Sequence, residues 1–164
     1  MAITTYSALW FLPFVLPLCL YTAYTDMAMM RITNPTVVTL AVVFLVIGLI
    51  ALPFNVYLWR LLGLVVVLIA GIALNAAGIM GAGDAKFAAA AAPYVALGDL
   101  RLLAALFTAT LLAATVTHRL AKYTPVRRLA PTWKSWDQGK KFPMGLALGT
   151  SLAFYLALGI RFGA

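Results

Sequence analysis

The sequence is poor in carboxylate, thiol and imidazole groups: its 164 residues include no glutamate, four acidic residues, one cysteine and one histidine. The lone Cys19 allows neither an intramolecular disulfide nor a cysteine metal cluster, and we interpret it as a packed core residue. No metal-ligand cluster, Ser-His-Asp set or phosphate-binding loop can be assembled, so we expect no metal and no cofactor. His118 is interpreted as a packing residue at a membrane edge. Carboxylate chemistry must therefore come from aspartates, which are Asp26, Asp84, Asp99 and Asp137.

Charged residues are also scarce, at 10% of the chain, whereas hydrophobic residues make up 65% and the mean hydropathy is +1.02. A soluble globule of this composition would expose most of its apolar surface, so we predict an integral membrane protein. The first apolar segment is interpreted as a retained span, because no basic residue precedes it and no small-residue cleavage pattern follows it. The net charge of +8 would suggest nucleic acid for a soluble chain. Sorting the basic residues by membrane side removes that interpretation.

Apolar runs bounded by polar residues, proline or glycine predict six spans in one membrane domain, residues 1–164. The predicted fold is an all-α, six-transmembrane-helix bundle with a short fourth helix that begins at Asp84. That fourth run would reach only ~21 Å, against a hydrocarbon core of ~30 Å. The six runs are about 6–25, 36–53, 56–80, 84–97, 100–118 and 143–162.

The basic residues are distributed unevenly between the two sides that six crossings define. Nine of them fall on one side and three on the other, so the positive-inside rule places the first side in the cytoplasm and both termini in the periplasm. Residues 119–142 form a predicted basic cytoplasmic loop, most simply a solvated segment against anionic headgroups, with substrate contact as the alternative. The nine are Arg31, Lys86, Arg119, Lys122, Arg127, Arg128, Lys134, Lys140 and Lys141.

The parity of crossings sorts the aspartates as well. Asp26 follows one crossing and Asp84 follows three, so both face the same side, whereas Asp99 faces the other. Two adjacent carboxylates at a water-accessible membrane boundary share one proton, and aspartic proteases use such a pair for catalysis. Each residue alone also has a structural interpretation, Asp84 as a helix N-cap and Asp26 as a marker of the interface. Asp137, between Lys134 and Lys140, is interpreted as an ordinary charge in the loop.

Three motifs resemble those of the type IV prepilin peptidases, a family of membrane aspartic proteases. That family has Asp, a short gap and Arg-Ile-Pro-Asn after its first catalytic span, then Gly-x-Gly-Asp-x-Lys at its second catalytic aspartate. A Pro-x-Gly segment opens its last helix. The matching stretches here are Asp26 with Arg31-Ile32-Thr33-Asn34, then Gly81-Ala82-Gly83-Asp84-Ala85-Lys86, and Phe142-Pro143-Met144-Gly145.

The resemblance implies that Asp26 and Asp84 are the catalytic pair and that Gly81 and Gly83 shape the loop of the second aspartate. The matching Lys86, Arg31 and Asn34 are candidates for support of the site or for substrate contact. Thr33 stands where the family usually has proline. Larger members carry a cytoplasmic cysteine tetrad and methylate the new N-terminus, but this chain resembles the short form that processes Flp-type pilins. Methyltransferase activity is therefore not supported.

The leading hypothesis is an aspartic endopeptidase of the bacterial inner membrane that removes the basic leader of Flp-like prepilins at the cytoplasmic face. Its expected partners are the prepilin, with its leader and hydrophobic helix, and the lipid bilayer; the pilus assembly machinery is a further candidate. One alternative is a small transporter subunit in which Asp26 and Asp84 bind a proton or a cation. Another is a non-catalytic scaffold of a secretion complex.

Overall fold

The computed structural model describes residues 1–138 and 142–164, and within them the regular structure is entirely helical. Four short 3-10 turns lie between or beside the α-helices, at Ala92–Tyr94, Leu97–Asp99, Pro125–Leu129 and Lys134–Asp137. The six α-helices are α1 (Thr5–Met29), α2 (Asn34–Ala51), α3 (Phe54–Ala76), α4 (Ala82–Ala91), α5 (Leu100–Lys122) and α6 (Met144–Phe162).

Five of the six helices are long and apolar enough to cross a membrane, and α4 is not among them. The predicted count of six spans is thus not confirmed, since the ten residues of α4 reach only about 15 Å. The predicted start at Asp84 is wrong: Gly81 is the N-cap and the helix begins at Ala82. It also ends earlier than the predicted Leu97, because the chain continues as a 3-10 turn that contains Pro93, which has no N–H to donate.

The antiparallel pair of α1 and α6 forms the most extensive contact of the bundle. Small residues on α6 make the close approach possible: a Cβ added to Gly149 would lie 2.7 Å from the carbonyl oxygen of Cys19, and one added to Gly159 would lie 3.0 Å from Cβ of Ala8. Cys19 itself is buried and unpaired, as the sequence interpretation expected. This packing brings the first residues of α6 against the last turns of α1.

An aromatic cluster fills the core among α1, α2, α3 and the turn after α4. The ring of Tyr94 lies edge-on to Phe11 and Phe44, with centroids 4.9 and 5.3 Å apart, and Phe44 stacks on Tyr57. The buried Tyr94 hydroxyl donates to the Leu40 carbonyl over 2.7 Å, which satisfies its polar atom. The cluster holds the segment after α4 inside the bundle rather than at its lipid-facing surface.

The segment that was predicted as the loop 119–142 begins as helix, because α5 continues to Lys122. After Tyr123 the chain turns back under the bundle, where Trp136 stacks on His118 with centroids 4.9 Å apart. Trp133 lies edge-on to Tyr24 of α1. Aromatic contacts therefore anchor the described part of the loop, and its predicted cations Lys140 and Lys141 lie outside the described residues.

Candidate functional site

Asp26 lies in the last full turn of α1, and not in the loop after a shorter span, because the helix extends to Met29. The helix stops at Met30, which adopts the left-handed conformation with φ 54° and donates its N–H to the Asp26 carbonyl over 2.8 Å. This conformation is uncommon for a residue with a side chain. The Asp26 side chain is 6% exposed, so it is directed into the bundle rather than toward solvent.

Asp84 is positioned by two consecutive turns between α3 and α4. The first contains Gly78 with φ +72°, where Ile79 N–H bonds the Leu74 carbonyl in a Schellman arrangement. The second ends at the N-cap Gly81, and a Cβ added there would lie 2.7 Å from Oδ2 of Asp84. Glycine thus leaves room for the carboxylate. Asp84 is the third residue of α4, so the interpretation of it as the N-cap is wrong.

The two aspartates line one cavity of about 800 Å³ at the end of the bundle where α1 finishes and α4 starts. Among the described residues, the other predicted site residues line the same cavity, although they come from two separate segments. These are Gly81, Gly83 and Lys86 of the second motif and Arg31 and Asn34 of the first. The structure therefore brings together all seven residues that the motifs predicted.

Burial and the neighbouring charge both act on Asp84, which lies in α4, outside the five candidate spans. Burial, first, and the negative charge of Asp26, second, raise the pKa of Asp84 from 3.8 to about 6. Two carboxyl groups that interact in this way release their protons in coupled steps. Around pH 6, close to the pKa of Asp84, the cavity can therefore hold one protonated and one ionised carboxyl group.

Asp26 is held by a backbone group that the sequence analysis did not assign to the site. The N–H of Gly145, at the start of α6, donates to Oδ2 of Asp26 over 2.6 Å. A Cβ on Gly145 would lie 2.9 Å from Cβ of Asp26 and 3.0 Å from its Oδ2. The only sequence signal for this contact was the Pro-x-Gly resemblance at Pro143. Phe142 and Met144 from the same stretch also line the cavity.

The polar rim of the cavity connects α2 and α4. Nζ of Lys86 donates to Oδ1 of Asn34 over 3.2 Å, so two predicted residues contact each other across the opening. Gly83 faces Ile32 with 3.4 Å between the added Cβ and the Ile32 Cβ, an ordinary van der Waals separation. Lys86 and Arg31 are both exposed, so their charges lie at the mouth of the cavity.

The other two aspartates lie away from this cavity. Asp99 is at the opposite end of the bundle, where it accepts the backbone N–H groups of Ala2 and Ile3 that precede α1. Asp137 is exposed in the loop and forms an ion pair with Arg127 at 2.9 Å. The positions of the aspartates thus agree with the parity of membrane crossings, with Asp26 and Asp84 together and Asp99 at the other end.

The fold and the site together define a class of protein: a helical membrane protein with two interacting aspartates in a cavity at one end of its bundle. Comparison with protein families makes this specific: the model of the type IV leader peptidase family matches residues 13–118, which include both aspartates. The chain belongs to that family. No curated protein and no solved structure is significantly similar to it. Family membership supports a membrane-embedded leader peptidase that acts on prepilins, and it disfavours the transporter and scaffold alternatives.

Proposed function

We propose that the protein is an aspartic endopeptidase that uses Asp26 and Asp84 to remove the basic leader from Flp-like prepilins at the cytoplasmic face of the bacterial inner membrane. The observation that carries the proposal is the shared cavity, in which the charge of Asp26 contributes to the raised pKa of Asp84. A protonated and an ionised carboxyl group on one cavity are what hydrolysis by a carboxyl pair requires.

The proton shared by the two carboxyl groups would allow them to catalyse hydrolysis of the peptide bond. The ionised carboxylate takes a proton from water as the water oxygen attacks the scissile carbonyl carbon, and the protonated partner donates to the carbonyl oxygen. The carboxyl group that took the proton from water then gives it to the leaving amine as the C–N bond breaks, and its partner regains a proton from a hydroxyl of the intermediate. Gly81 adds no side chain at this point, so an extended peptide can approach the backbone beside Asp84.

The proposed side of cleavage depends on the distribution of charge. The cavity lies at the same end of the bundle as the basic loop, since Trp133 of the loop contacts Tyr24 in the last turns of α1. The excess of lysine and arginine there supports a cytoplasmic location for this end. The hydrophobic helix of the prepilin would lie in the bilayer, and its leader junction would unwind into the cavity.

The proposed dyad is tested by the purified full-length protein in detergent with a Flp-like prepilin as substrate, with product mass as the readout. Asp26→Asn and Asp84→Asn should each lower the cleavage rate by at least ~10²-fold, since general acid–base catalysis typically contributes 10²–10⁴-fold. Asp137→Asn is the matched control because the same chemical change falls on an exposed loop residue. It should cleave at the rate of the unchanged protein.

Circular dichroism and gel filtration of each variant establish that the helical bundle is retained. Rapid cleavage by a folded Asp84→Asn protein would eliminate the carboxyl-pair mechanism. A product whose new N-terminus does not follow the basic leader would instead retain the chemistry and overturn the proposed substrate.

A further inference from the structure

The two carboxyl groups of the cavity have different surroundings. Asp26 is 6% exposed and accepts the Gly145 N–H over 2.6 Å, whereas no described group donates a hydrogen bond to the carboxyl of Asp84. Asp84 is also more accessible. A donor that points at one carboxylate stabilises its ionised form, so the contact breaks the symmetry of the pair.

The Gly145 N–H has no competing hydrogen-bond acceptor within its own helix. Gly145 is the second residue of α6, and the first N–H groups of an α-helix lack an intrahelical acceptor. The helix dipole adds a partial positive charge at the same place. Gly145 can approach Asp26 this closely because it has no side chain: an added Cβ would meet three atoms of the Asp26 side chain at 2.9 to 3.1 Å.

We infer that the Gly145 backbone is a positioning group that keeps Asp26 ionised, so that Asp26 is the base and Asp84 the acid. This inference rests on the proposed function. In the first step, Asp26 takes a proton from water, the water oxygen bonds to the scissile carbon, and Asp84 gives its proton to the carbonyl oxygen. In the second step, Asp26 gives its proton to the amine nitrogen, the C–N bond breaks, and Asp84 regains a proton from a hydroxyl of the intermediate.

The other charged side chains near Asp26 and Asp84 do not take over the role of the Gly145 N–H. Arg31 and Lys86 line the same cavity, but both are exposed, and Lys86 donates to Asn34. From the turn packed under α1, Lys134 is exposed and Asp137 is paired with Arg127. The first turn of α6 contains no acidic residue, and among the described residues the Gly145 N–H is the group that donates to the Asp26 carboxylate.

The test compares Gly145→Ala with Gly63→Ala, because both add one methyl group to a helix but a Cβ added at Gly63 meets nothing within 4 Å. Gly145→Ala should lower kcat about 10- to 100-fold with little change in KM. The acidic limb of its pH–rate profile should move up by about one pH unit, a tenfold change in proton affinity. Gly63→Ala leaves the contact of Gly145 with Asp26 in place and should retain the position of the acidic limb.

An infrared measurement tests the same assignment without cleavage. Near pH 5, the absorption of a protonated carboxyl group should persist in Asp26→Asn and disappear in Asp84→Asn. The opposite pattern, or an unchanged acidic limb in Gly145→Ala, would overturn the assignment of base and acid. Cleavage that survives both Asp→Asn substitutions would instead overturn the proposed function, so the two failures are distinguishable.

Discussion

The hydroxyl of Tyr155 donates to Oδ2 of Asp99 over 2.8 Å and at the same time accepts the N–H of Ala96 over 3.0 Å. The N–H groups of Ala2 and Ile3 also bond this carboxylate, which is 5% exposed. This buried acid thus joins the start of α1 to α6 and to the turn before α5. Its role is structural, at the far end of the bundle from the cavity.

Replacement of either partner should cost stability but not activity. Asp99→Asn turns one acceptor into an NH₂ group that faces backbone donors, and Tyr155→Phe leaves the Ala96 N–H unsatisfied. We expect each to lower the free energy of unfolding by about 1–3 kcal/mol. Thermal unfolding in detergent measures the loss, and the cleavage rate per folded molecule should stay within about twofold. A folded Asp99→Asn protein without activity would contradict a purely structural role.

Stability should depend on pH through Asp84. Its pKa rises from 3.8 to about 6 in the folded protein, so the fold favours the protonated carboxyl group. The resulting stabilisation is fully present below about pH 4 and is lost as the pH rises through about 6. Melting temperatures between pH 4 and 7 should show this decline, and Asp84→Asn should flatten it. Asp137→Asn is the control that retains the slope; an equal slope in Asp84→Asn would refute the assignment.

Two glycines isolate the effect of backbone conformation on stability, because neither has a neighbour that an added side chain would contact. An added Cβ meets nothing within 4 Å at Gly63 or at Gly78, but only Gly78 has a positive φ, of +72°. Gly78→Ala should therefore destabilise by about 1 kcal/mol. Gly63→Ala, in the interior of α3, should stabilise by about 0.5–1 kcal/mol, because alanine favours helix. Thermal unfolding of both variants checks the pair, and equal signs would count against the Schellman turn beside the site.

Topology is tested with reporters at the two ends of the bundle. Ala164 lies beside the start of α1, since its carbonyl accepts the Thr5 N–H over 3.2 Å. A reporter fused after Ala164 should be active in the periplasm, and one inserted near Thr132 should be active in the cytoplasm. The reverse pattern would place the cavity outside and rule out cleavage at the inner face.

The local chemistry of the site was readable from its motifs. Glycines on either side of Ala82, a carboxylate directly after them and a lysine two residues on identified the second segment, and Asp26 with Arg31 identified the first. Long apolar runs predicted the five helices that qualify as spans, because hydrophobic length is a property of sequence alone. The boundaries were less accurate: α1 runs past Asp26 to Met29, and α4 starts at Ala82.

What the sequence by itself determined is the membrane environment, the helical class and the set of seven residues that line one cavity. Only the tertiary structure decided which groups touch. The bond from Gly145 to Asp26 joins residues 119 positions apart, and it exists because α6 can pack tightly on α1 through glycine. The structural use of Asp99 depends likewise on Tyr155 and on the chain before α1. Composition and spacing encode hydrophobicity and local turns, whereas the partner of a buried polar atom is set by how distant helices pack.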